Sequence, residues 1–409
     1  MLAAYLDILN RSFQPKSMST PEHRREAPRQ LAIVADRVFD GRRWHSPAAV
    51  LIENGRVRGL ARPAETPDNW SQRRLPSGAL LTPGFIDLQV NGGGGALLND
   101  SPTPDMMNAI VRAHRRFGTT ACLPTMITDS REQMALAVAA ARSAAGHDGV
   151  LGVHLEGPFI NTARAGIHRK DLIAQANDSD LEWLLELADA GRSVVTLAPE
   201  CVPANFVKRL AAAGIAISIG HSEASAETVS RAADDGLTGV THLFNAMPPM
   251  AGRTPGTVGA ALADRRLTAS LIVDGLHVDP VAIRVAFAAK GAEGIALVTD
   301  AMPTVGAAVA QFSLMGRQIR LAAGRLSDER DTLAGAHLDM ASAVRNAVTL
   351  AGVALEDALR SASLTPARFL GLSAERGSLV PGARADLVAL THELHPLATW
   401  VAGNEECNL

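Results

Sequence analysis

The chain has 409 residues, 47% of them hydrophobic, and a formal net charge of -3, which gives apolar mass for a large core and no basic field to wrap nucleic acid or hold an anionic membrane surface. Its three cysteines, Cys122, Cys201 and Cys407, stand far apart without a Cys-x-x-Cys pair, which argues against a disulfide framework and a thiolate zinc site and fits a reducing cytoplasm. No apolar run approaches the roughly 18 residues of a membrane span, and residues 1–10 are too few, with Asp7 among them, for a signal peptide.

Residues 1–29 read as a loose arm: the stretch 11–29 is polar, holds three prolines and has no hydrophobic period. Met18 is a second candidate start. Over 31–60 short β-like runs alternate with turns, Asn54-Gly55 being a hairpin signal. From Leu81 the pattern changes to eight apolar runs, LTPGFIDLQV, ACLPTMI, LGVHLEGP, VVTLAPE, IAISIGH, GVTHLFN, SLIVDG and ALVTDA. Between most of them lie amphipathic segments, at 104–117, 131–145, 178–190, 203–213 and 280–290. Eight strands with intervening helices predict an α/β fold, a (β/α)8 TIM-type barrel over 81–375. After Asp300 come a hairpin candidate at 312–325, helices over 339–370 and the β-like run GSLVPGARADLVAL. That run is expected to join the N-terminal strands in a small β-sandwich domain built from both chain ends, 30–80 with 376–409.

In such a barrel the reactive groups sit at the C-terminal ends of the strands, and here those ends read Asp87, Glu156, His221, His242, His277 and Asp300. Glu156, His221 and His242 offer one carboxylate and two imidazoles, a set that leaves a tetrahedral ion an open position for water and so points to catalysis. Taken singly, each is as readily a hydrogen-bonded group at the barrel rim. Taken together at strand ends of one barrel, they favour a metal. His154, two residues before Glu156, faces the same way; it is a candidate fourth ligand, with a buried hydrogen-bonded role favoured. Gly92 to Gly95 lack the context of a phosphate-binding loop and are read as room for substrate, and Cys122 as core packing.

The segments HLEGPFIN at 154–161, GHS at 220–222, THLFNAMPPM at 241–250, DGLHVD at 274–279 and LVTDAM at 297–302 resemble, in order and spacing, the motifs of the N-acetylglucosamine-6-phosphate deacetylases. These are a branch of the amidohydrolase superfamily. PGFIDLQVNGGGG at 83–95 and GSLVPGARADLVAL at 377–390 extend the resemblance, which covers about 81–390. It implies that Glu156, His221 and His242 hold one divalent metal ion per subunit, zinc first, with Fe2+ or Co2+ accepting the same donors. Asp87-Leu88-Gln89 falls where many amidohydrolases carry His-x-His for a second metal. A neutral amide replaces imidazole poorly, so one ion is expected, with Gln89 at most a weak contact beside it.

The same resemblance gives the remaining roles. Asp300 resembles the catalytic aspartate that takes the water's proton and passes it to the leaving nitrogen; by residue type alone it could also be a helix N-cap or a third metal carboxylate. His168 resembles the histidine that polarises the acetyl carbonyl, although by itself it is merely a loop histidine. His277 resembles a sugar contact, and Arg253 an arginine that reaches the phosphate in a neighbouring subunit's site. Asn245 and Ala246 resemble further phosphate positions, and Leu333, Ala334 and Gly335 the loop that closes over the sugar.

The implied activity is hydrolysis of N-acetyl-D-glucosamine 6-phosphate to D-glucosamine 6-phosphate and acetate, in amino-sugar catabolism, by a cytoplasmic homodimer. N-acetylgalactosamine 6-phosphate is a close alternative substrate. A cyclic-amide hydrolase of the same superfamily would need a second metal and a carboxylated lysine, and no lysine stands at the end of the fourth strand. A barrel that only binds a sugar phosphate would have no use for Asp300.

Overall fold

In the computed structural model, which describes residues 29–408, the apolar runs become eight parallel strands. They are β1 (Phe85–Val90), β2 (Thr119–Ile127), β3 (His154–Glu156), β4 (Val194–Leu197), β5 (Ala216–Ile219), β6 (Gly239–Val240), β7 (Thr268–Ile272) and β8 (Ile295–Val298). Each pairs with the next in chain order. The ring closes between β8 and β1, where Asp300 N–H donates to Gln89 O at 3.0 Å and Gly92 N–H to Ala301 O at 2.9 Å. Leu123, Leu155, Val195 and Ile217 are fully buried, and removal of each such side chain from water contributes about 1.5–3 kcal/mol. With a period of two, Leu155 faces away from His154 and Glu156, which share one side of β3.

The helices start where side chains can hold their free N–H groups. Pro104–Arg115 is capped by Thr103, Arg131–Ala144 by Ser130 and Pro280–Lys290 by Asp279. The segment predicted at 178–190 is shorter, Asp180–Leu185 followed by a 3-10 turn, and that at 203–213 contracts to Phe206–Ala212. Two helices escape the pattern. Ala226–Asp234 is short and amphipathic and buries Val229 and Ala232, whereas Gly256–Ala263 is built of small residues and shows no strong apolar stripe.

The first predicted strand is in fact two. Leu80–Pro83 pairs with Arg37–Phe39 on one side and Leu387–Leu390 on the other, in a six-stranded sheet, while β1 begins at Phe85. Gly84 makes the joint: a Cβ there would fall 2.2 Å from Thr120 Cγ2. That sheet, completed by Trp44–His45, Pro396–Val401 and Asn404–Asn408, faces a four-stranded one of Gln30–Ala35, Ala48–Glu53, Arg56–Ala61 and Ser71–Arg74. Ile33, Val50, Leu81, Leu387 and Trp400 are part of their shared core, so the predicted sandwich of both chain ends is present. Asn54 and Gly55, at φ 51 and 75, make the predicted hairpin turn. The loose arm and the alternative start at Met18 lie outside the described residues, apart from Arg29.

The hairpin predicted at 312–325 gains a third strand: Gln311–Leu314, Arg317–Ala322 and Arg325–Ser327 are antiparallel. Leu314, Ile319 and Leu326 seat it on Ile127, Ile167 and Met302, beside the open end of the barrel.

Candidate metal centre and active site

Glu156 ends β3, and His221 and His242 stand two residues beyond the ends of β5 and β6. His221, His242 and Asp300 have φ of 49, 34 and 50, in the left-handed region that side-chain-bearing residues visit rarely, at a cost of order 1 kcal/mol or more each. Backbone bonds hold them there. His221 O accepts from Asn161 N–H, His242 N–H donates to Ser270 Oγ, and Asp300 is fixed at both its N–H and its carbonyl, the latter by Ala336 N–H at 2.9 Å. The turns swing three side chains from their strand ends into one space.

There Glu156 Oε1 lies 2.8 Å from His242 Nε2 and 3.2 Å from His221 Nε2, and the two imidazole nitrogens are 3.1 Å apart. His221 Nδ1 lies 2.7 Å from Arg164 O. A carbonyl can only accept, so Nδ1 carries a hydrogen, and Nε2 faces Glu156, offering a lone pair to a cation or, with a proton on it, a hydrogen bond to the carboxylate. Three buried electron-rich atoms thus converge, and they require a positive charge among them. Burial pushes the Glu156 carboxyl up, yet the bonds from His221 and His242 bring it well below the ordinary value; burial pushes His242 down, yet Glu156 carries it above. One carboxylate with two imidazoles suits a tetrahedral ion of the zinc type. Bonds of about 2.1 Å would set such ligands about 3.4 Å apart, a parting of a few tenths of an ångström from the distances seen.

His168 approaches from the other side, with Nε2 3.9 Å from Glu156 Oε2. Its Nδ1 meets Thr128 Oγ1 at 2.8 Å and accepts from Thr128 N–H at 3.4 Å, which leaves the hydrogen on Nε2. Burial, and then the neighbouring His221, push its pKa down to about 3, so this ring is a neutral donor. His154 is spent on structure. Its Nδ1 reaches Leu88 O at 3.1 Å and its Nε2 Thr196 Oγ1 at 2.7 Å, as the favoured reading had it.

Gln89 Nε2 donates to Glu156 Oε1 at 3.1 Å and to Asp300 Oδ1 at 3.2 Å, so one amide ties the metal-facing carboxylate to the second acid. Asn91 Nδ2 donates to the same Asp300 oxygen at 2.6 Å. Burial first, and then the charge of Glu156, push the Asp300 carboxyl up to about 6 against the pull of His242 and His277. Asn91, Glu156, His168, His221, His242 and Asp300 line a cavity of about 220 Å³ together with Ile127, Ile167, Asn245, Ala246, Ile272, Met302, Thr332, Leu333 and Gly335. His277 also lines it, its Nδ1 held at 2.6 Å by Asp274.

Two expectations need correction, those for Asp87 and for the glycine run. Asp87 does not face the cavity: its Oδ2 accepts from Thr299 Oγ1 at 2.6 Å, inside the seam between β1 and β8. The strand-one pair beside the metal-facing groups is therefore Gln89 and Asn91, two residues further on. The glycine run gives no room to substrate. A Cβ on Gly92 would fall 2.3 Å from Ala96 O and one on Gly93 2.6 Å from His114 Nε2, so these residues permit a tight hairpin. Ala334 is buried behind the cavity wall with Met302 and Leu326. Arg253 is exposed, lines no part of the cavity, and has no hydrogen bond or ion pair among the described residues. Sequence reasoning missed Asn91 and Thr128. Asn91 was within reach, since a period of two from Gln89 leads to it; nothing marked Thr128.

The family model described as "Amidohydrolase family" matches residues 80–409. An N-acetylgalactosamine-6-phosphate deacetylase of Shewanella sp. (strain ANA-3) is 41% identical over 87% of this chain and 90% of its own length. An N-acetylglucosamine-6-phosphate deacetylase of Haemophilus influenzae is 35% identical over 79% and 85%. Among solved structures, the N-acetylglucosamine-6-phosphate deacetylase of Pasteurella multocida superposes with a TM-score of 0.89 at 32% identity, over 93% of this chain and 100% of that one. A mutant of the Mycobacterium smegmatis deacetylase in complex with N-acetyl-D-glucosamine-6-phosphate has a TM-score of 0.86 at 33% identity, over the same shares.

Proposed function

The chain belongs to the amidohydrolase family, and we propose on that premise that it hydrolyses N-acetyl-D-glucosamine 6-phosphate to D-glucosamine 6-phosphate and acetate. The observation that carries this reading is the convergence of Glu156, His221 and His242 beside a second, raised carboxyl, Asp300, in one cavity. The ion proposed is one Zn2+ per subunit, with Fe2+ and Co2+ accepting the same donors. When bound, such an ion supplies Lewis acidity, lowering the pKa of water to about 7 and polarising a carbonyl.

The chain's own groups do the rest. Asp300 Oδ1 is occupied by Gln89 and Asn91, which leaves Oδ2 to take a proton from water and deliver it to the leaving nitrogen. His168 donates from Nε2 to the acetyl oxygen as negative charge builds there. His277 holds the sugar, and Asn245 and Ala246 meet the phosphate at the cavity wall. Leu333 and Gly335, with Ala334 behind them, close over the ring.

Arg253 stands exposed and has no partner among the described residues, so its guanidinium fork can bind the phosphate of a neighbouring subunit's substrate. This makes the working unit a homodimer. Cys122 and Cys201 are buried and unpaired, in keeping with a cytoplasmic enzyme. Among the described residues no helix is long and apolar enough to cross a membrane.

N-acetyl-D-galactosamine 6-phosphate is the second reading, favoured by the Shewanella relative. Acetate release from both phosphate esters and from the two unphosphorylated sugars, with zinc and with a chelator, tests both readings. Zinc-dependent release from either phosphate ester supports the activity and assigns the epimer. A zinc-loaded protein that binds both esters and releases no acetate refutes it, in favour of a barrel that merely binds.

A further inference from the structure

We propose that Asn91 is a positioning residue for the reaction: it grips one oxygen of Asp300 so that only the other can move protons. The inference rests on Asp300 being the base. Asn91 is 1% exposed, and its Nδ2 lies 2.6 Å from Asp300 Oδ1, the shortest bond that carboxylate makes. A charge-assisted N–H···O bond of this length in a dry site is among the stronger a protein makes. Gln89 Nε2 reaches the same oxygen at 3.2 Å but divides itself with Glu156 Oε1. Asn91 alone is dedicated to Asp300. Among the described residues no hydrogen bond reaches Asp300 Oδ2, and Asp300 lines the cavity.

The glycine run after Asn91 now has a reason. Asn91 is the last residue before a hairpin in which Gly92 and Gly93 pair with Leu97 and Ala96, and Gly92 N–H is bonded at 2.9 Å to Ala301 O, one residue past Asp300. A Cβ at Gly92 would collide with Ala96 O and Pro303. The chain can return this closely only without side chains, and the return stitches the residue after Asn91 to the residue after Asp300. The spacing between amide and carboxylate is thereby set by backbone rather than by the flexible reach of a side chain. An error of about 1 Å in the placement of a reacting group costs on the order of 10²-fold in rate.

The test uses the zinc-loaded enzyme with its phosphorylated substrate. Asn91→Leu keeps nearly the same volume and removes the donor, and Asn91→Ala removes both; Asp300→Asn is the reference. The expected result is a fall in kcat of about a hundredfold in both Asn91 variants, with KM within a few-fold, metal content unchanged and Tm of Asn91→Leu near that of the parent. Combining Asn91→Leu with Asp300→Asn should cost no more than Asp300→Asn alone, since the amide acts only through that carboxylate. Retained kcat in Asn91→Leu, additive losses in the double variant, or loss of metal would each overturn the proposal. If Asp300→Asn itself keeps full turnover, the assignment of the base fails instead, and the two failures are told apart by that variant.

Discussion

His221 and His168 stand with ring centroids 4.4 Å apart, both turned toward Glu156, and their far nitrogens make opposite hydrogen bonds. His221 Nδ1 faces Arg164 O, which leaves Nε2 to offer a lone pair to a cation; His168 Nδ1 accepts from Thr128 N–H, which fixes a hydrogen on its Nε2. One ring is prepared to bind a cation and the other to donate a hydrogen bond. The division of labour is written in the residues behind the rings.

The two histidines should therefore fail differently. His221→Ala is expected to lose metal and activity together, while His168→Asn should keep its metal and lose about 10²–10³-fold in kcat, as oxyanion donors do. Metal content by mass spectrometry alongside steady-state kinetics decides the matter. A His168 variant that loses metal in step with His221→Ala would show that both are ligands.

If Asp300 is the base, as proposed, it sets the acid limb of the pH profile. Burial and Glu156 push its carboxyl up to about 6 in the protein alone, and a base works only when deprotonated, so kcat should climb with pH through that region and level off above it. A divalent cation alongside favours the charged form, which sets the midpoint at or below about 6. Asp300→Asn should lower kcat on the order of 10²–10⁴-fold with metal retained. A limb centred above pH 7, or one that persists in a partly active Asp300→Asn variant, would assign the titration to another group.

Asp87 should matter for stability rather than chemistry. Burial pushes its carboxyl up to about 7 despite the bonds from Thr299 and Gln89. A raised folded-state value means that the folded protein holds a proton the unfolded chain releases. This contribution is full below about pH 4 and is lost as pH rises through about 7. Wild type should therefore lose urea resistance relative to Asp87→Asn between about pH 5 and pH 8. A gap between the two midpoints that does not move with pH would contradict this. Asp87→Ala should cost about 1–3 kcal/mol at low pH, since it removes the closest partner of the buried Thr299 hydroxyl, and the cost should shrink as pH rises through about 7.

Arg253→Ala should raise KM for the phosphorylated substrate and leave the slow turnover of the unphosphorylated sugar unchanged. If the arginine serves the neighbouring subunit, mixing Arg253→Ala with Asp300→Asn chains should restore one intact site per heterodimer. Mixed dimers no more active than the parent variants would place Arg253 on its own subunit's site or on none.

The barrel was legible because its strands are nearly continuous apolar runs and its helices carry caps and stripes. The convergence of Glu156, His221 and His242 was legible because all three stand at or just beyond the ends of strands of one barrel. What escaped depends on side-chain direction rather than residue type. The run from Leu80 to Val90 is interrupted only at Pro83-Gly84, and there, where Gly84 packs against Thr120, the chain passes from one sheet to the other. Asp87 and Gln89 share a strand face by period, yet one closes a seam and the other spans two acids, a difference made by β8 and not by β1. The period of two from Gln89 places Asn91 on the same strand face, but its partner lies 209 positions away in sequence. Contacts of that range leave no local trace in composition or spacing.

Leu80–Pro83 is flanked in its sheet by Arg37–Phe39 and by Leu387–Leu390, which lies about 300 residues downstream. During synthesis, therefore, the strand that leads directly into β1 emerges with one neighbour in place and the other edge open until nearly the whole barrel has been made. Folding of the sandwich cannot finish before the barrel does, and the open edge of Leu80–Pro83 is the surface most in need of shielding on the nascent chain. A ribosome stalled before Leu387 should display it to chaperones, and release of the last strands should bury it.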